Sequence, residues 1–149
     1  MNQKLFKARR VSTLAACLVA VAMLGACGGG GADDVDLSIG VLVGGQPVGG
    51  GVYAGGVQRV VMSAGQSIQL DASEPVVWTL QVGTTSFEGF NSSFYYQGVI
   101  ITETALSRSR IALDTYAPSF LLSPVAIRLV AVSTYDSAVV AAVDVVITN

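Results

Sequence analysis

Hydrophobic and polar residues alternate in short segments along most of the chain beyond its N-terminal quarter, and Gly, Pro, Ser and Asp separate these segments. In SIQLD, residues 67–71, every second residue is apolar. In VVWTLQV, residues 76–82, Trp78 is one of four apolar residues at alternate positions, and Thr79 and Gln81 lie between them. A period of two residues is typical of a β-strand with one buried face. The pattern therefore predicts an all-β domain.

Eight segments carry this pattern, and we predict a strand over each: 36–43, 58–62, 67–71, 76–82, 99–104, 110–114, 125–133 and 138–148. The last segment also permits an amphipathic helix, because Ala and Val at 138–143 do not exclude one. Its five valines and one isoleucine favour a strand, since β-branched side chains lose rotamer freedom in a helix. The intervening TYDS, residues 134–137, predicts a hairpin turn.

About eight closely spaced strands favour two packed antiparallel sheets in one domain. The stretch AGQSIQLDASEPVVWTLQVG, residues 64–83, resembles strands B and C of an immunoglobulin-like domain, with an inward Trp78. The stretch from Val125 to Thr148 resembles the closing F–G hairpin. The resemblance implies an immunoglobulin-like antiparallel β-sandwich over residues 35–149. Both core cysteines of the antibody form are missing, as in many bacterial modules of this type.

The N-terminal residues 1–26 have the features of an export signal. Four basic residues precede the apolar run LAACLVAVAML, residues 14–24. Eleven residues are fewer than the roughly 20 that a helix needs to span a bilayer. The segment therefore predicts a cleaved signal peptide, which contributes nothing to the mature fold.

The four residues LGAC, residues 24–27, begin at the end of the apolar run and resemble the lipobox of bacterial lipoproteins. The resemblance implies cleavage before Cys27, a diacylglyceryl group on its sulfur and acylation, for example by palmitate, of the new amino terminus. Two or more acyl chains hold a protein on a bilayer stably. The glycine-rich residues 27–34 then form a flexible linker. Gly28, where Asp would favour the inner membrane, implies the outer membrane, facing the periplasm or the cell surface. A free thiol at Cys27 and an uncleaved anchor are the alternatives.

The charge of residues 27–149 restricts the function further. Four arginines stand against ten carboxylates, and there is no lysine or histidine in this part of the chain. Nucleic acid is therefore not an expected partner. Serine and cysteine nucleophiles lack a histidine partner, and no intrachain disulfide is possible with one cysteine. We predict no catalytic residues, no metal site and no cofactor.

Carboxylates are the remaining candidates for catalysis. The pairs Asp71–Glu74 and Glu88–Glu103 could in principle serve glycoside hydrolysis. Nothing in the sequence fixes their separation, so we expect them to be solvated in turns or on the surface. The glycine-rich residues 44–56 lack the lysine of a nucleotide-binding loop. We therefore expect a mobile hairpin or loop at a sheet edge there.

An aromatic segment is the main candidate for a contact surface. The stretch SFEGFNSSFYYQG, residues 86–98, predicts an irregular loop that is rich in Phe and Tyr. Its rings either fold over the open end of the sandwich and complete the core, or bind a sugar or a protein. The candidate contact residues are Phe87, Phe90, Phe94, Tyr95 and Tyr96.

These observations predict a lipid-anchored lipoprotein of the bacterial cell envelope. Its β-sandwich is expected to have a non-catalytic structural or protein-interaction role, with the membrane reached through Cys27 and an envelope protein or glycan as the possible partner. The alternative is a carbohydrate- or small-ligand-binding module that uses the aromatic loop, residues 87–96.

Overall fold

The computed structural model describes residues 36–88, 91–118 and 120–149, and this part of the chain forms twelve strands, the longer of which have alternating apolar residues. The strands are β1 (Ser38–Val43), β2 (Gln46–Pro47), β3 (Val52–Tyr53), β4 (Val57–Ser63), β5 (Ser67–Ala72), β6 (Val76–Val82), β7 (Thr85–Glu88), β8 (Ser93–Tyr96), β9 (Val99–Ala105), β10 (Arg110–Tyr116), β11 (Val125–Ser133) and β12 (Val140–Thr148).

The strands form two sheets. The first sheet has the order β2-β1-β5-β10-β9-β8, and β3 also pairs with β1. The second sheet has the order β4-β12-β11-β6-β7. All neighbouring strands are antiparallel except β4 and β12, which pair in parallel over residues 57–63 and 142–148.

The prediction of an immunoglobulin-like sandwich is confirmed. Seven strands taken in chain order as A to G, namely β1, β5, β6, β9, β10, β11 and β12, give A-B-E-D in one sheet and G-F-C in the other. All eight predicted segments contain a strand, and the C-terminal run is β12 rather than a helix. Two details differ from the prediction. The sandwich is not wholly antiparallel, and four short strands (β2, β3, β7 and β8) were not expected.

The core lies between the two inner faces. In β6, Val76, Trp78, Leu80 and Val82 are buried, as their alternation predicts. Inward-facing residues of the other long strands are buried in the same way and join them in one hydrophobic cluster. Each fully buried large apolar side chain stabilises the fold by about 1.5–3 kcal/mol. This core holds the domain together without a disulfide.

Two turns between strands form where the local sequence predicts them. Gly44 and Gly45 form a two-residue turn between β1 and β2 with φ of 56° and 80°, a geometry that glycine favours. The expected hairpin turn at 134–137 joins β11 to β12, and the Ser133 amide donates to the Val139 carbonyl across it. Among the described residues, no helix is long and apolar enough to span a membrane.

Candidate functional site

The predicted aromatic loop is largely two short strands that belong to different sheets. Phe87 lies in β7, which pairs with β6 in the second sheet. Phe94, Tyr95 and Tyr96 lie in β8, which pairs with β9 in the first sheet. The expectation of an irregular loop over these positions was therefore wrong. The fifth predicted residue, Phe90, lies outside the described residues.

Phe87 and Phe94 form a stacked pair, which we call the aromatic clasp. Their ring centroids are 4.8 Å apart, and the ring planes differ by 14°. Both side chains are half-buried and pack against the core, as does Tyr96. Because Phe87 belongs to one sheet and Phe94 to the other, the clasp joins the two sheets along one edge of the sandwich. Three of the predicted contact residues, Phe87, Phe94 and Tyr96, thus help to complete the hydrophobic core.

Tyr95 faces the opposite way, because successive residues in a strand point to opposite faces. It is directly opposite Ile100 in β9, and Ile100 is directly opposite Tyr116 in β10. The exposed fractions are 69% for Tyr95, 37% for Ile100 and 58% for Tyr116. We call these three side chains the tyrosine row. It crosses three adjacent strands on the outer face of the first sheet.

A second row, of polar side chains, lies beside the tyrosine row on the same face. Ser93, Thr102 and Asp114 are directly opposite one another on β8, β9 and β10. The Ser93 and Thr102 hydroxyl oxygens are hydrogen-bonded at 3.0 Å, and Asp114 is exposed. We call these residues the polar row. The two rows together place aromatic rings next to hydroxyl and carboxylate groups.

The tyrosine row lies at the end of the sandwich opposite the start of β1. Ile39 is level with Ala72, whereas Val43 is level with Ile68. Strand β10 runs from Arg110, level with Asp71, to Tyr116, so Tyr116 is at the far end. The seven residues of β10 cover about 20 Å. The described chain therefore begins about that distance from the tyrosine row.

Arginine is paired at the other end of this face. Arg110 donates to the Asp71 carboxylate through Nε and Nη2, so Asp71 is held by an ion pair. No ion pair is found on the tyrosine row or the polar row among the described residues. The charge that lies beside the tyrosine row is thus the negative charge of Asp114.

The expectation of solvated carboxylates was wrong for two residues, because Glu74 and Glu103 are both buried, and Glu103 is the more deeply buried of the two. It was expected to be solvated, but it is 0% exposed on the inner face of β9, and neither carboxyl oxygen has a hydrogen-bond partner among the described residues. Burial raises the pKa of Glu103 to about 7. The signal was available in VIITETA, residues 99–105, because alternation places Glu103 on the same face as Val99 and Ile101.

The predicted carboxylate pairs do not form a cleft. Glu88 is exposed on β7 of the second sheet, whereas Glu103 points into the core from the first sheet. Asp71 is paired with Arg110, and Glu74 is buried in the connection after β5. Because Glu103 is fully buried, its carboxyl is not accessible to a substrate.

The remaining predictions concern the glycine-rich residues 44–56 and the N-terminal segment. The glycine-rich residues 44–56 contain β2 and β3, which pair with β1 at the edge of the first sheet. The predicted lipidation site Cys27 and the signal segment lie outside the described residues. Comparison of the chain with protein-family models and with curated proteins gives no match.

Proposed function

We propose that the chain is a lipid-anchored, non-catalytic recognition module of a bacterial cell envelope. Lipid on Cys27 holds the protein on a membrane, residues 27–34 act as a flexible linker, and the β-sandwich contacts another envelope component. The support for the anchor is the sequence LGAC, residues 24–27, which begins at the last residue of an eleven-residue apolar run and directly precedes four glycines. Gly28 after the cysteine favours the outer membrane over the inner one.

The observation that carries the recognition role is the position of the tyrosine row. Two exposed tyrosines and an isoleucine lie side by side at the end of the sandwich opposite the start of β1. The row lies about 20 Å along the first sheet from the start of β1. Large exposed aromatic groups arranged together mark contact surfaces. The row is therefore the surface through which we expect the domain to contact its partner.

The non-catalytic part of the proposal rests on the side chains that are present. Residues 27–149 contain no histidine and no lysine to activate a nucleophile. Of the four carboxylates in the candidate pairs, Asp71 is paired with Arg110, Glu74 and Glu103 are buried, and Glu88 is exposed on the second sheet. Hydrolysis by paired carboxylates requires two of them to flank one bond.

Mass spectrometry of the amino-terminal peptide from the native membrane protein tests the anchor. We expect a peptide that begins at Cys27 and carries the mass of acyl chains. The Cys27→Ala variant, whose folded domain is unchanged, should leave the membrane fraction. An unmodified Cys27, or an intact residue 1–26 segment, would overturn the proposal.

A second candidate function, carbohydrate or small-ligand binding, is favoured by one specific observation. Of the described residues in the aromatic segment, Tyr95 is the one that is mainly exposed, since Phe87, Phe94 and Tyr96 pack against the core. Such a ligand would therefore meet Tyr95 and its neighbours in the tyrosine row rather than the whole segment 87–96.

A further inference from the structure

We propose that the outer face of the first sheet, at the tyrosine row and the polar row, binds a neutral, extended β-linked polysaccharide. This inference rests on the proposed recognition role and names its ligand. The first reason is the chemistry of the two rows. A sugar ring has an apolar face of C–H groups and a rim of hydroxyls. Tyr95 and Tyr116 offer flat rings for the faces, and Ser93, Thr102 and Asp114 offer hydrogen-bonding groups for the rim.

The second reason is the spacing of the rings. Tyr95 and Tyr116 are on strands separated by one strand, β9, so their backbones are about 10 Å apart. Extended β-1,4-linked polysaccharides turn alternate sugar rings to the same side, and their two-ring repeat has a comparable length. One ring can therefore stack on each tyrosine while the ring between them passes over Ile100. A tightly coiled α-linked glucan does not present its rings in this way.

The third reason is charge. Asp114 lies beside the tyrosine row, and the arginine of this face, Arg110, is paired with Asp71 at the other end. Anionic polymers and anionic lipid headgroups bind through clustered basic side chains. No such cluster accompanies the row in the described residues. The face therefore fits an uncharged ligand.

The size of the row also favours a glycan over a protein or a second copy of the chain. Whole aromatic side chains have about 150–250 Å² of surface, so the exposed parts of three residues amount to a few hundred Å². A stable protein interface needs about 800 Å² from each partner. A row three strands wide is sufficient for a few sugar rings.

The test is calorimetric titration of the native protein, purified from membranes in a zwitterionic detergent. The probes are β-1,4-linked oligosaccharides of glucose and of N-acetylglucosamine, with an α-linked glucose oligosaccharide for comparison. We expect binding of at least one β-linked probe and weaker or no binding of the α-linked probe. Tyr95→Ala and Tyr116→Ala should each weaken binding about tenfold, equivalent to about 1.4 kcal/mol. Tyr95→Phe and Tyr116→Phe should retain most of the affinity, because they keep the ring.

Tyr135 provides a matched control. It is 76% exposed in the turn between β11 and β12, at the opposite end of the sandwich. Tyr135→Ala should bind like the wild type. If an alanine variant in the row has a much lower Tm than the wild type, Tyr116→Leu also tests whether the aromatic ring is needed for binding, because leucine keeps apolar bulk but removes the flat ring.

Three results would overturn the proposal. The first is no binding of any β-linked probe, and the second is equal binding by the Tyr95, Tyr116 and Tyr135 variants. The third is a dimer or a complex with an envelope protein that forms through the tyrosine row and excludes the oligosaccharide. None of these results changes the mass of the Cys27 peptide, so failure of the glycan proposal is distinguishable from failure of the anchor.

Discussion

Replacing Glu103 by glutamine should stabilise the protein at neutral and alkaline pH. The Glu103 carboxyl is sealed in the core, and the other buried polar or charged residues among those described are Glu74, Thr115 and Ser133. None of them carries a positive charge that could compensate a carboxylate. Desolvation is the cause of the raised pKa, so the ionised form is what the folded state disfavours.

The size of the effect follows from the pKa. Burial raises the pKa of Glu103 from its ordinary 4.5 to about 7. Below about pH 4.5 the carboxyl is protonated in both states and has no differential effect. As the pH rises from there to about 7, the unfolded chain releases the proton while the folded chain keeps it, so the free energy of unfolding falls. At 1.36 kcal/mol for each pKa unit, the full loss above pH 7 is about 3 kcal/mol.

Glutamine has nearly the shape of the neutral acid and cannot ionise. We therefore expect Glu103→Gln to match the wild type near pH 4 and to exceed its stability near pH 8 by up to about 3 kcal/mol, or about 10 °C in Tm. The measurement is urea unfolding across this pH range. Trp78, the single tryptophan, is fully buried and provides the fluorescence signal.

Glu88→Gln is the matched control, because Glu88 is exposed on β7. It should leave the pH profile of stability unchanged. A wild-type stability that is constant between about pH 5 and 8 would refute the reasoning, as would a Glu103→Gln variant that keeps the wild-type profile. Either result would mean that the carboxyl finds solvent or a partner in the folded state.

Two further predictions concern side-chain pairs. Phe87→Ala and Phe94→Ala should each lower the free energy of unfolding by about 2 kcal/mol, and a double-mutant cycle in urea should give a coupling of about 1 kcal/mol for the stacked rings; additive effects would mean that the clasp does not join the sheets. The hydrogen bonds and charge of Arg128 lower the pKa of Asp144. The pair therefore stabilises the fold at pH values above the ordinary pKa of Asp, and this stabilisation is lost as the pH falls below that value toward the lowered pKa of the folded state. Because both side chains are partly exposed, Arg128→Ala should cost less than about 1 kcal/mol at neutral pH, and still less in high salt; a larger loss in urea unfolding would contradict this view.

The long strands were predictable because their signal is local. In β6, alternation alone placed Trp78 and Leu80 inward and Thr79 outward, and the structure agrees. The same holds for β5 and β11. A period-two pattern of apolar residues reports the buried face directly, whatever strand lies alongside it. The sandwich could therefore be predicted without knowing its strand order.

The parallel pairing of β4 with β12 could not be predicted in this way. Val57 and Ala142 are partners although 85 positions separate them in sequence. Strand β7 was missed for a different reason, because Gly83 and Thr84 form a two-residue turn that the sequence signals only weakly. Strand β8 follows Asn91 and Ser92, which are typical of turns. Short strands in such surroundings depend on tertiary pairing for their stability.

The site was predictable only in part. The aromatic segment was identified, but Ile100 and Tyr116 were not, because the tyrosine row depends on the register of three strands. The alternation of residues in β9 predicts that Glu103 points into the core, on the same face as Ile101. Glu103 was expected to be solvated because nothing in the sequence fixes its separation from Glu88. Carboxylates are almost never fully buried without a partner, so Glu103 is an exception to the usual preference of its residue type, and its position in the alternating pattern was the better guide.

The aromatic clasp and the tyrosine row depend on one strand register. With Phe94 opposite Ile101 and stacked on Phe87, the neighbouring Tyr95 must point outward, next to Ile100. A slip of one residue would expose Phe94 and Tyr96 and would bury Tyr95. The hydrophobic contacts that join the two sheets therefore also fix the outward ring. We expect any change that loosens the clasp to weaken ligand binding at the row, even though Phe87 lies in the other sheet and does not belong to that surface.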